Sequence, residues 1–204
     1  MTRRLFLGLL FLLSATLLHG DMQYAVGASP GLMIPFSGDI QNFQATIAPG
    51  LDFRMTGFSP VVGLGISAGY GMIRGPYRDS LRKDSSAYTY RYLPISAYLL
   101  TDFSGLMTNP PVLPYFRIGG GPCYWDLRRD NDFLITGDST PSHQWNYILQ
   151  ATIGAERRLG SLPLSVFLEA TADYVASSDF VRYGPMDQDE AYAVVRLGLR
   201  YQFH

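Results

Sequence analysis

The sequence has only one cysteine, Cys123, and only one lysine, Lys83, in 204 residues. A single cysteine excludes an intramolecular disulfide, so the fold must be held by packing and hydrogen bonds. The formal net charge is −1, which argues against a nucleic-acid-binding protein. Beyond the first 20 residues, no apolar run approaches the roughly 18 residues of a membrane-spanning helix. A barrel remains possible, because alternation hides its membrane-facing residues from this criterion.

The beginning of the chain has the composition of a secretory signal peptide. Two arginines precede an apolar stretch from Leu5 to Leu18, and small or polar residues follow. This stretch is shorter than the roughly 20 residues that a helix needs to cross a bilayer. The sequence therefore predicts a removable signal peptide over 1–20 and one domain over 21–204.

The end of the chain alternates between apolar and polar residues. This period of two predicts a β-strand over 191–203. Its polar face carries two arginines and its apolar face ends in two aromatic residues. That pattern is typical of a strand with lipid outside, a polar interior and an aromatic belt at the interface. The apolar face is formed by Ala191, Ala193, Val195, Leu197, Leu199, Tyr201 and Phe203.

Seven earlier segments alternate in the same way. Together they predict an all-β fold, a transmembrane antiparallel up-and-down β-barrel of eight strands. The predicted strands are 23–34, 42–55, 61–73, 88–101, 115–125, 144–158, 164–176 and 191–203.

The connections between these segments differ in length and polarity. Long polar loops are predicted at 74–87, 126–143 and 177–190, and tight turns at 56–59 and 159–163. Outer-membrane barrels have short periplasmic turns and longer extracellular loops. Both chain ends are therefore predicted to be periplasmic, although a longer turn at 102–113 departs from this pattern.

Glycine or serine occupies every second position from Gly63 to Gly71. Triplets of the form G-x-G occur in nucleotide-binding loops, but these lie on one face of a strand and no helix follows. The predicted role of these small inner residues is to make room for bulky side chains from other strands.

Charged residues lie on the faces opposite the apolar ones, so they would converge inside the barrel. Side chains just fill an eight-stranded barrel, and arginine forks paired with carboxylates would satisfy these buried charges. The favoured interpretation is a structural plug of salt bridges, and the alternative is a gate or narrow pore. The predicted interior network consists of Asp52, Arg54, Arg117, Glu156, Arg158, Glu169, Asp173, Arg196 and Arg200.

Two short motifs accompany the strands. P-Y-F-R-I-G-G-G begins at Pro114, and the chain ends in R-x-G-x-x-Y-x-F followed by one residue. With the alternation, these motifs resemble the small eight-stranded bacterial outer-membrane barrel family of the OmpA, OmpX and OmpW type. The resemblance implies an outer-membrane location and a structural or surface-interaction role or, as in OmpW-like members, uptake of small apolar molecules. It also implies an insertion signal formed by Arg196, Gly198, Tyr201 and Phe203.

The resemblance implies partners as well. They are outer-membrane lipid, periplasmic chaperones and the barrel-assembly machinery, with a host molecule or small apolar ligand possible at the extracellular loops. An apolar route would require an opening in the wall. Pro30 and Pro122, both predicted to face lipid, are the positions where strand pairing would be broken.

The rival class is an enzyme on the same scaffold, such as a lipid A deacylase or palmitoyltransferase. Such enzymes need His and Ser, in some cases with an acid, at the outer rim. His143, with Ser142, Ser139 and Asp138 nearby, is the candidate. An exposed His is the ordinary expectation in such a polar loop, so no enzymatic activity is predicted. No cofactor or metal site is predicted either.

Overall fold

The computed structural model describes residues 22–37, 44–57, 59, 61–76, 87–103, 107, 110–129, 132–133, 143–176 and 190–203. Twelve β-strands occur in this part of the chain. They are β1 (Gln23–Ser29), β2 (Gly31–Ser37), β3 (Thr46–Ile47), β4 (Gly50–Thr56), β5 (Val62–Gly69), β6 (Gly71–Pro76), β7 (Ala87–Asp102), β8 (Leu113–Arg129), β9 (Asp132–Phe133), β10 (His143–Arg158), β11 (Leu164–Ala176) and β12 (Glu190–Phe203).

These segments form one closed antiparallel barrel of eight strands. The first three barrel strands are each interrupted once, so that β1 with β2, β3 with β4, and β5 with β6 each form one strand. The other five are β7, β8, β10, β11 and β12. The barrel closes because β1 pairs with β4 on one edge and with β12 on the other. The predicted fold class is confirmed.

Burial alternates along each strand as the sequence pattern predicts. In β10, Leu149 and Ile153 are 63% and 65% exposed on the outer face, whereas Ile148, which faces the interior, is 1% exposed. An apolar outer face of this kind is stable against hydrocarbon and not against water. Among the described residues, no helix is long and apolar enough to cross a bilayer.

Two differences from the predicted boundaries have a physical cause. β8 continues to Arg129, beyond the predicted end at residue 125, and β9 pairs back onto it. Trp125 and Leu127 face inward and are buried, and this packing extends the pairing into the predicted loop. The predicted signal peptide and most of the residues of the three long loops lie outside the described residues.

The two ends of the barrel differ in their connections. Gly57 follows β4 with φ at 97°, and Gly160 lies between β10 and β11 with φ at 62°. Glycine adopts these left-handed conformations without steric cost, which allows a tight turn. We call the end with these two turns the turn side and the opposite end the loop side.

Inward glycines lie directly across from inward aromatic rings. A Cβ at Gly154 would be 2.3 Å from the Tyr115 ring, and a Cβ at Gly65 would be 2.3 Å from that of Tyr98. Both are register pairs of neighbouring strands. The predicted role of the small inner residues at 63–71, space for bulky side chains, is confirmed at Gly65, and Gly154 of β10 has the same role.

Candidate functional site

On the turn side, the interior contains a buried cluster of charged groups around Arg200. The Arg200 guanidinium donates from Nε and Nη2 to Asp52 at 3.2–3.3 Å and from Nη1 to Glu156. It also lies 4.2 Å from the centre of the Phe167 ring, a favourable cation–π distance. A buried arginine thus has two carboxylates and a ring as partners, and this offsets the cost of its desolvation.

Glu156 links this cluster to a second arginine. Arg54 donates from Nη1 to Oε2 at 2.8 Å and from Nη2 to Oε1 at 3.0 Å, and the Ser165 hydroxyl also donates to Oε1. Such two-point contact is the strongest geometry for an arginine and a carboxylate. Because the cluster holds two acids and two arginines, it is electrically neutral.

Nearer the middle of the barrel, Glu169 is the centre of a second cluster. Arg117 Nη2 lies 2.7 Å and Arg196 Nη1 3.9 Å from its carboxylate, and the Tyr115 hydroxyl donates to it at 3.0 Å. The Arg117 guanidinium also lies 4.8 Å from the centre of the Tyr98 ring. The interior charges are therefore joined to each other and to rings.

Asp173 differs from the other three interior acids. It accepts hydrogen bonds from the Tyr92 hydroxyl and from Gln150 Nε2, both at 2.8 Å. The expectation that arginine forks satisfy the interior carboxylates therefore describes Asp52, Glu156 and Glu169, whereas two neutral donors hold Asp173.

Arg158 lies apart from the other predicted network residues. Its side chain is exposed at the turn-side end of β10, where the inward face opens to solvent. The interior thus holds four arginines and four acids of the predicted network, without the fifth arginine that the pattern placed there.

The four residues of the predicted insertion signal lie on both faces of β12. Arg196 and Gly198 face inward, and Gly198 is required because a Cβ there would lie 2.5 Å from the Phe167 ring. Tyr201 and Phe203 face outward, with ring centres 6.3 Å apart, and Phe203 stacks on Tyr24 at 5.8 Å. They form part of an aromatic belt on the turn side.

On the loop side, the interior is mainly apolar and aromatic, with one buried carboxylate, Glu190, at the start of β12. Sequence analysis did not predict this layer, although its members occupy inward positions. The Tyr92 and Tyr192 rings meet edge to face at 4.8 Å, and Tyr90 stacks on Trp125 at 6.0 Å. This apolar layer consists of Met33, Ala48, Ile73, Tyr90, Tyr92, Cys123, Trp125, Leu127, Ile148, Val175, Tyr192 and Val194, all buried.

Between the two layers lies a small polar cavity. Its volume is about 30 Å³, and Asp52, Arg117, Glu169 and Arg196 contribute to its walls. A cavity of this size holds about one water molecule. In the described part of the chain, Arg117 Nη1 and Arg196 Nε are buried without a protein partner beside it. The same part contains no group of three potential metal ligands.

His143, the candidate catalytic residue, lies on the outer surface at the loop-side end of β10. Its side chain is exposed and its cross-strand neighbour is Asp126. Both carboxylate oxygens of Asp126 accept hydrogen bonds from Arg91, and Arg128 donates to one of them. Ser142, Ser139 and Asp138 lie outside the described residues.

The closed ring of strands, the apolar outer face and the side-chain-filled interior define a class. This chain has the fold of the small eight-stranded barrels of bacterial outer membranes, as the sequence resemblance implied.

Solved structures include two similar barrels. One is neisserial surface protein A, with a TM-score of 0.54 and 11% identity over 91% of this chain and 99% of that one. The other is a major outer membrane protein from Thermus thermophilus, with a TM-score of 0.56 and 17% identity over 90% of this chain and all of that one. No protein-family model and no curated protein matches the sequence.

Proposed function

We propose that this chain is an integral protein of the bacterial outer membrane whose barrel is a closed scaffold for surface-exposed loops. The observation that carries this proposal is the filled interior. A layer of charged residues with no net charge lies on the turn side, and an apolar layer lies on the loop side. The cavity between the two layers holds about one water molecule. A barrel of this kind serves as a membrane anchor, and interactions with partners fall to its loops.

The orientation is part of the proposal. Short turns at Gly57 and Gly160 and the end of β12 share one side, which we assign to the periplasm, together with the longer connection 103–112 between β7 and β8. The connections 77–86, 130–142 and 177–189 share the other side. In this orientation, periplasmic chaperones and the barrel-assembly machinery would bind the chain before insertion. Tyr201 and Phe203 belong to the insertion signal at this end of the barrel.

The test is a planar-bilayer recording of the purified, folded protein. We expect no steady conductance, because each interior layer blocks the path of ions. Steady conductance of the unmodified protein would contradict the closed-scaffold proposal and support the narrow-channel alternative.

A set of variants provides the matched controls for this recording. Tyr90→Ala with Tyr192→Ala removes rings from the apolar layer only, and Arg54→Ala with Glu156→Ala removes one neutral pair from the charged layer only. Each pair alone should leave the barrel closed, because the other layer remains. The four changes together should conduct, and circular dichroism should confirm that each variant retains its strands.

We also propose that the barrel does not modify lipids enzymatically. In those lipid-modifying enzymes that use an acid, a carboxylate orients the histidine. Asp126, the acid across from His143, is already engaged by Arg91 and Arg128. The substitution His143→Ala should leave the mass spectrum of lipid A from cells that produce the protein unchanged. Loss of a lipid A modification in this variant would overturn the proposal.

Uptake of apolar molecules through the wall is less compatible with the geometry. Behind the inward glycines Gly50 and Gly69 lies the polar cavity, with Arg196 among its walls. An apolar molecule that crossed the wall there would displace the partners of buried charges, at a high free-energy cost.

A further inference from the structure

Two prolines face each other across neighbouring strands in the lipid-facing wall. Ser29 lies opposite Gly50 and Leu32 opposite Ile47, so the register places Pro30 opposite Pro49. Neither proline has an N–H to donate, and both β1 and the neighbouring strand are interrupted there. One predicted site of broken pairing, Pro30, is thus confirmed by the interruption between β1 and β2. The other, Pro122, lies within the continuous strand β8 and is paired with Tyr147 of β10.

The interruption continues onto the third barrel strand. The amide of Tyr70 donates to Pro49 O at 3.0 Å, and Tyr70 separates β5 from β6. The small outward side chains of Ala28 and Ala68 leave a shallow crevice between larger neighbours on the outer face. The crevice has a volume of about 640 Å³, and its walls include Pro30, Pro49, Leu51, Ala68, Tyr70 and Leu93.

Every one of these six side chains is exposed on the outer face, and all are apolar apart from the hydroxyl of Tyr70. The crevice adjoins the loop-side aromatic belt, in which Tyr124 and Trp145 lie 5.4 Å apart. Aromatic belts mark the depth at which lipid headgroups begin. The crevice therefore lies among the upper parts of lipid acyl chains.

A charged cluster lies on the same outer face, directly toward the loop side. Arg91 is two residues from Leu93 on β7, which is about 7 Å along an extended strand. Arg91 and Arg128 both donate to the buried carboxylate of Asp126, at 2.8–3.1 Å. Their side chains remain 31% and 25% exposed, and Arg74 on β6 is exposed nearby. Among the described side chains of this cluster, three arginines accompany one acid, so this part of the surface carries a net positive charge above the crevice.

We propose that the crevice and the arginine cluster together bind one anionic membrane lipid, whose phosphate carries a negative charge that no cationic headgroup neutralises. An acyl chain lies in the crevice, and the phosphate contacts Arg74, Arg91 and Arg128. Guanidinium groups bind phosphate with a forked geometry, and positive charge next to a membrane attracts anionic lipids. Asp126 fixes the orientation of Arg91 and Arg128 before the lipid arrives, which lowers the entropic cost of binding.

The test is native mass spectrometry of the protein released from mixed micelles. The micelles contain equal amounts of phosphatidylglycerol and phosphatidylcholine with identical acyl chains. We expect one retained lipid per barrel, with phosphatidylglycerol favoured roughly fivefold, as a positive charge near a membrane surface should produce.

Two variants separate the parts of the site. Arg74→Gln with Arg128→Gln keeps the Arg91–Asp126 pair and should lower the lipid preference to about one while a lipid is still retained. Ala68→Phe fills the crevice and should remove most retention of both lipids. Their matched controls are Arg157→Gln with Arg158→Gln, two exposed arginines at the turn side, and Ala170→Phe on the outer face of β11.

The proposal is overturned by the absence of a retained lipid, by equal retention of the two lipids, or by test variants that behave like their controls. It requires that the outer face meets a bilayer, but not that the interior is closed. A conducting barrel that still retains phosphatidylglycerol would therefore contradict the scaffold proposal alone.

Discussion

In the turn-side half of the interior, Arg200 contacts two carboxylates, whereas in the loop-side half Ile148, Tyr90 and Tyr192 pack in an apolar layer with few polar contacts. Both halves fill a cylinder of the same eight strands. The charged half depends on partners that must be present together, because an isolated buried charge is costly. The apolar half depends on volume and shape. The two halves should therefore respond differently to substitution.

The largest effect is expected in the charged half. Arg200→Met removes the shared partner of Asp52 and Glu156 and leaves carboxylates buried without their compensation. The free energy of unfolding should fall by about 5 kcal/mol. Urea unfolding of the protein folded in vesicles measures this change. Arg158→Met, at an exposed arginine, is the control and should change it by less than about 0.5 kcal/mol.

The apolar half should respond to lost volume. Ile148→Ala opens a cavity that lipid cannot enter, and we expect the free energy of unfolding to fall by about 4 kcal/mol. The same change at Ile153, on the outer face, should cost about 2 kcal/mol, because lipid chains fill the space. Equal costs at the two positions would show that the loop-side interior is not tightly packed.

A smaller effect is expected where the halves meet. Tyr92→Phe removes one of the two neutral donors to Asp173 and should lower the free energy of unfolding by about 2 kcal/mol. Tyr90→Phe is a matched change in the apolar half, where the two hydroxyl oxygens of Tyr90 and Tyr192 are 3.5 Å apart. It should cost about 0.5 kcal/mol, since so long a contact is a weak hydrogen bond. A reversed order of these costs would contradict the assigned contacts.

The smallest effect tests whether the halves are independent. Cys123 is the only thiol of the chain and is fully buried in the apolar layer. A maleimide reagent should label it slowly in the folded protein and quickly in urea. The slow rate should persist in Arg158→Met and in any Arg200→Met protein that remains folded. Fast labelling of folded Arg200→Met would show that the charged half holds the apolar half closed.

The strand pattern made the fold predictable because lipid imposes a strict rule on one face of each strand. Leu149 and Ile153 had to be apolar, and their alternation with inward residues defined the eight segments. The interruptions in the first three barrel strands were harder to predict from the sequence. Pro30 was recognised as a lipid-facing proline, but its pairing with Pro49 depends on a register that one strand alone does not contain.

The site was predicted only in part, for a similar reason. Parity placed Asp52, Glu156 and Arg200 inside, but their contacts join strands far apart in the sequence. Parity also placed Arg158 inside, although the barrel ends before its side chain is covered. The apolar layer was missed because inward apolar residues such as Ile148 look like exceptions in one strand, and only the closed barrel brings them together.

The most direct test of the central claim, that hydrocarbon covers the outer face and the interior is closed, uses the two tryptophans. Trp145 is 58% exposed on the outer face, and Trp125 is 4% exposed in the interior. The protein should be folded in lipids brominated near the headgroup end of their chains, which quench tryptophan on contact. Trp125→Phe, which retains Trp145, should lose most of its fluorescence, and Trp145→Phe should keep most of it. Equal quenching of the two proteins, or stronger quenching of Trp125, would contradict this account.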